Sequence, residues 1–232
     1  MPLSFDPQQC PVLKVDDHLP AVPRDRLTAH ALRERFQRPP VWQPEHLADR
    51  LHLPRAPVHA SVLVPLVVHG DEITVLLTRR AEHLSDHPGQ ISFPGGRAEP
   101  EDLTAITTAL REAEEEIGLV RDFVEVLGTL PHYTTVTGYI VTPVVALVQP
   151  GFSLRVDASE VAEVFEVPLA YLMKPAHHRR HAVLDDTGRG DNAREFLSMP
   201  WMTQAADGSP KSCFIWGATA AMLRNFYRFV SA

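Results

Sequence analysis

Apolar residues occur in short runs separated by turn-forming residues over most of the chain after residue 58. Two such runs, at residues 62–68 and 73–77, flank the polar sequence HGDE, a pattern that predicts a β-hairpin. Further strands are predicted by similar runs at residues 124–130, 139–148, 161–167 and 194–199. We therefore expect a sheet that opens with the hairpin.

Helical spacing of apolar residues is found in four other segments. They are residues 27–36, 102–117, 168–173 and 217–230. Strands and helices interleave without regular βαβ order, which favours an α/β sandwich built on a mixed sheet. The first part of the chain, residues 1–58, is rich in Pro, Arg and His and is interpreted as an N-terminal arm or cap. Residues 59–232 are expected to form one domain.

The predicted helix at residues 102–117 has two different faces. At about 100° per residue, its apolar positions fall in one stripe, at Ile106, Ala109, Leu110, Ala113 and Ile117. Glu112, Glu115 and Glu116 fall in a separate arc about 100° wide, and Glu114 lies outside that arc. Gly118 is a plausible end for the helix.

Three carboxylates within one turn repel one another, and the helix dipole disfavours negative charge near the C-terminus. A hard divalent ion such as Mg²⁺ or Mn²⁺ would relieve this repulsion, since both ions prefer oxygen ligands. The alternative is a solvated glutamate face. Two features favour a metal site: the Gly95-Gly96 turn upstream permits a close backbone approach, and Arg111 can orient a neighbouring carboxylate.

These residues resemble a known family. The string REAEEEIGL at residues 111–119 matches the second half of the Nudix signature. The first half differs, because Asp102 stands where a Glu is usual and one extra residue separates it from Arg111. This departure is similar to the coenzyme A pyrophosphatase branch, and so is the upstream pattern LLTRRA, Gly89 and FPGG at residues 76–96. Ser85 stands where that branch usually has a second arginine.

The resemblance covers roughly residues 61–229 and implies a Nudix-type α/β/α sandwich with a central mixed sheet. It implies an enzyme that uses Mg²⁺ or Mn²⁺ to cleave the diphosphate of CoA or acyl-CoA. The products are adenosine 3',5'-bisphosphate and 4'-phosphopantetheine or its acyl form. The implied metal ligands are the carboxylates of Glu112, Glu116 and Glu115 and the backbone carbonyl in the Gly96 region.

The same resemblance suggests roles for other residues. Many Nudix enzymes use a glutamate from a later segment as base or additional ligand, and Glu163 is the candidate here. Arg111 and Glu115 are expected to act with it as catalytic residues. Arg80 matches the arginine of the upstream signature and is expected to bind substrate. Arg79, or else the basic cluster around Arg179 and Arg180, is expected to compensate for the arginine missing at Ser85.

Two other functions remain open. The first is a Nudix hydrolase of another nucleoside diphosphate derivative, which Ser85 favours. The second is a catalytically silent Nudix-fold binding module, which would normally show a degraded signature. The intact acidic residues speak against that second possibility.

Charge and cysteine content limit the partners. The formal net charge is -7 and no Lys/Arg-rich run occurs, so we expect a small-molecule substrate and no nucleic acid or membrane partner; a homodimer is left open. Cys10 and Cys213 are far apart, which suggests neither a disulfide framework nor a cysteine zinc site. With no signal-like or membrane-spanning run, a cytoplasmic location is expected. The basic cluster at residues 177–181 is interpreted as a solvated loop.

Overall fold

The computed structural model describes residues 5–45, 57–135, 137–183, 194–205 and 207–232. These residues form two β-sheets and four α-helices. The helices are α1 (Ala29–Gln37), α2 (Ala105–Ile117), α3 (Leu169–Leu172) and α4 (Gly217–Ser231). All four lie at the segments predicted from apolar spacing, with ends shifted by a few residues.

The larger sheet contains eight strands. They are β2 (Val58–His69), β3 (Glu72–Arg80), β4 (Ile91–Ser92), β5 (Gly95–Arg97), β6 (Val124–Thr129), β7 (Tyr133–Thr134), β8 (Tyr139–Val148) and β9 (Val161–Pro168). Strands β2 and β8 are parallel, whereas the other paired strands of this sheet are antiparallel. The sheet is therefore mixed, as predicted, and β2 and β3 form the expected hairpin.

The second sheet is antiparallel and has four strands. Its order is β1 (Val12–Val15), β10 (Arg179–Val183), β11 (Arg194–Gln204) and β12 (Pro210–Trp216). Strand β1 comes from the segment interpreted as an arm or cap, and Leu32 of α1 in the same segment is fully buried. The described part of that segment is thus packed onto the rest of the chain, while the domain boundary at residue 58 stays a prediction.

The interpretation of residues 177–181 as a solvated loop is wrong. Arg179, Arg180 and His181 lie in β10, and His178 and His181 are buried. Burial is possible because each polar group has a partner. The His181 ring bonds the Ser198 hydroxyl at 2.8 Å, and Arg180 pairs with Asp16 at 2.9 Å.

Two apolar cores lie on opposite faces of the larger sheet. On one face, α2 packs against Leu63, Leu76 and Val144. On the other face, α4 and the inner face of the second sheet pack against a larger group of buried apolar residues, which includes Leu77 and Val145. Two layers therefore enclose the mixed sheet, and this arrangement confirms the α/β/α sandwich. No helix in the described ranges is long and apolar enough to cross a bilayer.

Candidate active site

Helix α2 has well-formed caps at both ends. Thr104 is the N-cap, and its hydroxyl accepts a hydrogen bond from the backbone N–H of Thr107, whose side chain accepts one in return from Thr104. Gly118 ends the helix in the left-handed conformation, with φ of 69°, as predicted. The helix begins at Ala105, so Asp102 lies in the loop before it.

The two faces of α2 are those expected from its sequence. Ala109, Ala113 and Ile117 are buried against the sheet. Glu116 is also buried, with 5% of its surface exposed, whereas Glu115 projects into solvent. Glu114 lies outside the arc and forms an exposed ion pair of 3.7 Å with Arg121. The helical geometry thus separates Glu114 from the other three glutamates.

Strand β5 brings two glycines against these carboxylates. The Gly95 backbone N–H donates a hydrogen bond of 3.2 Å to Glu116 Oε2. A Cβ at Gly96 would lie 2.5 Å from Glu112 Oε2, and one at Gly95 would lie 2.4 Å from the carbonyl oxygen of Ser61. Any larger residue at either position would displace the backbone or the Glu112 carboxylate.

Arg111 organises the loop and the helix around it. Its guanidinium donates to Asp102 at 2.8 Å, to Glu115 at 2.8 Å and to the carbonyl oxygen of Arg97 at 3.1 Å, and it lies 3.1 Å from Glu112. The hydrogen bond from Arg111 is the main cause that lowers the pKa of Asp102 to about 2. Asp102 therefore remains ionised, and it holds the Arg111 guanidinium close to Glu112 and Glu115.

Burial leaves Glu116 and Glu112 with insufficient counter-charge. Desolvation is the largest cause that raises the pKa of Glu116 to about 8, and the charges of Glu112 and Glu160 act in the same direction. The Gly95 N–H and the Arg80 charge oppose this shift. Desolvation also raises the pKa of Glu112, despite the adjacent arginine. A buried carboxylate among like charges is unfavourable unless a cation compensates it.

The acidic residues of α2 have the chemistry of ligands for a divalent metal ion. No three His, Cys, Asp or Glu side chains in the described ranges already stand in a metal-binding arrangement. Arg111 accounts for part of this, because it binds Glu115 and lies against Glu112. Glu112 and Glu116 offer carboxylate oxygens whose ionised form is disfavoured by burial, and carboxylate oxygens are the donors that Mg²⁺ and Mn²⁺ prefer. The residues therefore fit such an ion.

The end of β3 places two arginines on opposite faces of the sheet. Arg80 is paired with Val161, which belongs to the core under α2, and its charge acts on Glu116. The Arg80 Nε is buried, with no hydrogen-bond partner among the described residues. Arg79 is paired with Glu163 on the other face, towards the second sheet. Of the two predicted substrate-binding arginines, Arg80 is thus the one on the same face of the sheet as the α2 carboxylates.

Glu163 is held in ion pairs. It accepts hydrogen bonds from Lys211 Nζ and, at 3.3 Å, from Arg79 Nε. Burial acts to raise the pKa of Glu163, but these two cations outweigh it and the pKa is lowered. In this segment Glu160, and not Glu163, is the residue whose charge acts on Glu112 and Glu116.

Sequence reasoning did not find Glu160 or Lys211. Glu160 immediately precedes the predicted strand at residues 161–167, and its position at a strand end was the one available signal. Lys211 lies in β12, a strand without a recognised apolar pattern. Its pairing with Glu163 joins residues 48 positions apart, and no local pattern reports such a contact.

Comparison with known proteins agrees with the geometry of the site. The family model described as the NUDIX domain matches residues 57–186, more than half of the chain. The chain is 44% identical over 166 residues to the uncharacterized Nudix hydrolase NudL of Escherichia coli strain K12, covering 72% of this chain and 79% of that protein. The uncharacterized Nudix hydrolase NudL of Shigella boydii serotype 18 is 43% identical over 166 residues, with the same coverage of the two chains.

A solved structure of a Nudix hydrolase from M. smegmatis, RenU, is 22% identical, covers 56% of this chain and 80% of that one, and has a TM-score of 0.43. The family assignment rests on the matched domain and on the identity to the NudL proteins. Together with the intact acidic residues of α2, these matches exclude a silent binding module. The chain belongs to the Nudix hydrolase family and is a pyrophosphohydrolase.

Proposed function

We propose that this enzyme hydrolyses the diphosphate of CoA or acyl-CoA to adenosine 3',5'-bisphosphate and 4'-phosphopantetheine or its acyl form. The observation that carries the proposal is Arg80, whose Nε is buried without a hydrogen-bond partner among the described residues and whose charge acts on Glu116. A buried unpaired donor is unfavourable unless a ligand satisfies it. Arginine donors match phosphate oxygens in charge and geometry.

We assign metal binding to Glu112, Glu116 and Glu115, with the backbone carbonyl of Gly96, and the ion to Mg²⁺ or Mn²⁺. When bound, such an ion lowers the pKa of water and screens the charge that develops on the diphosphate. The chain's own residues supply positioning. Arg111 orients Glu112 and Glu115, and the glycines of β5 allow the backbone to approach the carboxylates.

Arg80 binds the diphosphate in this proposal, because its Nε is buried and unpaired among the described residues and its charge acts on Glu116. The proton of the attacking water passes to a carboxylate near the reacting phosphorus. Glu160 is better placed for this role than Glu163, since its charge acts on Glu112 and Glu116 while Glu163 is engaged by two cations. The water oxygen bonds to phosphorus, and the bridging oxygen leaves with the other phosphate.

A substrate panel tests the proposal. The enzyme is incubated with CoA, acetyl-CoA, NADH, ADP-ribose and nucleoside triphosphates, each with Mg²⁺ or Mn²⁺, and the products are identified by chromatography and mass spectrometry. We expect CoA and acetyl-CoA to give adenosine 3',5'-bisphosphate with the highest kcat/KM. A clear preference for ADP-ribose or NADH would instead show a hydrolase of another nucleoside diphosphate derivative, which the exposed Ser85 favours.

A further inference from the structure

The turn at residues 157–160, just before β9, joins two elements of the proposed site. The backbone N–H of Asp157 donates a hydrogen bond of 2.9 Å to the carbonyl oxygen of Glu116, in the last turn of α2. The carbonyl oxygen of Glu160 accepts one of 2.8 Å from the N–H of Ala81, which directly follows β3. The turn therefore ties the C-terminal end of α2 to the end of β3.

The contact with α2 is made where the helix leaves carbonyl groups without partners. The last carbonyls of an α-helix have no donor within the helix. The N–H of Asp157 bonds that of Glu116, and the N–H of Arg155 bonds that of Ile117 at 2.9 Å. A Cβ at Gly118 would lie 2.8 Å from the Arg155 nitrogen, so the glycine permits this close approach. The segment before the turn is thus fixed against the helix that carries the carboxylates.

The side chain of Asp157 closes the turn. Its Oδ1 accepts hydrogen bonds from the Ser159 backbone N–H at 2.8 Å and from the Ser159 hydroxyl at 2.6 Å. Its carbonyl oxygen accepts one of 3.0 Å from the N–H of Glu160. His83 Nε2 lies 3.0 Å from the Ser159 carbonyl oxygen, and the ring is the donor because a carbonyl can only accept. Side chains as well as backbone groups therefore restrain the backbone that carries Glu160.

Glu160 combines this restrained backbone with a free carboxylate. Its side chain is exposed, and within the described ranges no residue forms an ion pair or hydrogen bond with that carboxylate. Its charge nevertheless acts on Glu112 and Glu116. A proton acceptor must be unengaged and must be held in place before the reaction, because positioning it in advance lowers the entropic part of the barrier. Glu160 meets both conditions.

We propose that Asp157 is a positioning residue for catalysis, whose carboxylate fixes the turn so that Glu160 accepts the proton of the attacking water. The inference rests on the proposed function: the water oxygen bonds to phosphorus while one of its O–H bonds breaks and that proton moves to the Glu160 carboxylate. Asp157 does not touch the substrate in this scheme. Without its side chain the backbone links to α2 and β3 remain, but Glu160 takes up positions from which transfer is less efficient.

The first experiment removes the Asp157 hydrogen bonds and then restores them. Asp157→Ala should lower kcat by about 10- to 100-fold with KM nearly unchanged, because a catalytic group displaced by roughly 1 Å loses much of its effect. Asp157→Asn keeps an acceptor oxygen and should retain most of the activity. Asp207→Ala is the matched control, since Asp207 Oδ1 accepts the same two bonds from Ser209, at 2.9 and 2.6 Å, between β11 and β12. This control should leave kcat and KM unchanged.

A double-mutant cycle with Glu160→Gln separates positioning from general support of the fold. Glu160→Gln alone should lower kcat by about 100-fold or more, the contribution of a general base. In that background Asp157→Ala should change kcat by less than about twofold, because no proton acceptor remains to be positioned. The full additional loss in the double variant, or equal losses in Asp157→Ala and Asp157→Asn, would overturn the proposal.

Hydrogen exchange gives a readout that needs no turnover. Peptides covering residues 155–161 should exchange faster in Asp157→Ala than in the wild type, while the melting temperature stays close to that of Asp207→Ala. Unchanged exchange, or faster exchange with unchanged kcat, would overturn the proposal.

All rates are measured with the best substrate of the panel. The absence of CoA hydrolysis would therefore refute the proposed substrate and leave this test in place. No loss of kcat in Glu160→Gln would instead remove Glu160 as proton acceptor, and the role of Asp157 with it.

Discussion

The guanidinium of Arg111 donates two hydrogen bonds to the carboxylate of Asp102, at 2.8 Å from Nη2 and 3.3 Å from Nε. Asp102 lies in the loop before α2, nine residues from Arg111, and its side chain is 5% exposed. The pair therefore joins the loop to the helix. It also orients the guanidinium so that Nη1 faces Glu112 and Glu115.

We expect Asp102→Asn to lower kcat by about 10- to 100-fold, because the neutral amide weakens the bidentate interaction that positions Arg111. Asp102→Glu keeps the charge and restores the residue usual in the Nudix signature, so it should retain most of the activity. If Asp102→Asn keeps full activity, the charge of Asp102 is not what positions Arg111. Steady-state kinetics with circular dichroism as a folding control separates these outcomes.

Glu112→Gln and Glu116→Gln should each nearly abolish turnover, because each removes an oxygen donor from the proposed metal site. Glu116→Gln should also stabilise the metal-free protein, since it removes a carboxyl group whose ionised form is disfavoured by burial and by the charges of Glu112 and Glu160. Glu114→Gln is the control, because Glu114 forms only an exposed pair with Arg121 among the interactions described. Activity loss in that variant comparable to Glu112→Gln would contradict the assignment of faces on α2.

Local patterns predicted the elements whose signals lie within one segment. Helix α2 has an apolar stripe, a polar arc and a terminal glycine within 14 residues, so its faces and its end could be read directly. Strand β8 was predicted with its exact ends because a continuous apolar run marks a strand buried on both faces. The separation of Glu112, Glu115 and Glu116 from Glu114 on the helix was predicted for the same local reason.

Contacts between distant segments could not be predicted in this way. Strand β10 carries a basic sequence that reads as a loop, and it is a strand because β1 and β11 pair with it on either side. Likewise, Glu163 is the third residue of β9, and the sequence alone suggested a glutamate near the start of a strand and close to the site. Its actual partners, Arg79 and Lys211, come from β3 and β12, and only the three-dimensional register brings them together.

Removal of metal ions should abolish activity, and Mg²⁺ or Mn²⁺ should restore it. Adding either ion should also raise the melting temperature of chelator-treated protein, because a ligand that binds only the folded state stabilises it. The shift should be absent in Glu116→Gln and present in Glu114→Gln. Full turnover after exhaustive chelation would refute the metal assignment, whatever the thermal shift.

Leu32→Ala tests how closely the N-terminal segment is joined to the rest of the chain. Leu32 is fully buried in the core that also contains α4 residues, so we expect a loss of about 2 to 5 kcal/mol in the free energy of unfolding. Leu13→Ala, at a position 55% exposed, should change it by less than about 0.5 kcal/mol. Denaturant unfolding should show one shifted transition; a separate early transition for Leu32→Ala would mean that the segment unfolds on its own.

The last prediction concerns the pH dependence of stability, which His178 should control. Its ring is fully buried, contacts the Leu172 carbonyl oxygen at 2.7 Å and lies 3.1 Å from Arg224 Nη1. The Leu172 carbonyl can only accept and Arg224 can only donate, so both contacts suit a neutral imidazole. Burial is the main cause that lowers the pKa of His178 to about 4, with Arg224 acting in the same direction and Asp16 against it.

The sign follows from the protons that each state binds. An unfolded histidine titrates near pH 6.5, so between about pH 6.5 and 4 the unfolded chain binds a proton that the folded chain does not. The His178 contribution to the free energy of unfolding should therefore fall as the pH is lowered through this window, by up to roughly 3 kcal/mol, whereas Glu116, whose pKa is raised to about 8, contributes in the opposite direction over the same range. Asp16 and Glu45 have lowered pKa values and should add to the loss only in the more acidic range where they become protonated. Denaturant titrations at pH 7.0, 6.0 and 5.0 measure the dependence; relative to the wild type, His178→Gln should gain stability progressively as the pH is lowered, and the exposed His18→Gln should follow the wild type. An equal slope in the wild type and His178→Gln would show that another group controls the acid sensitivity.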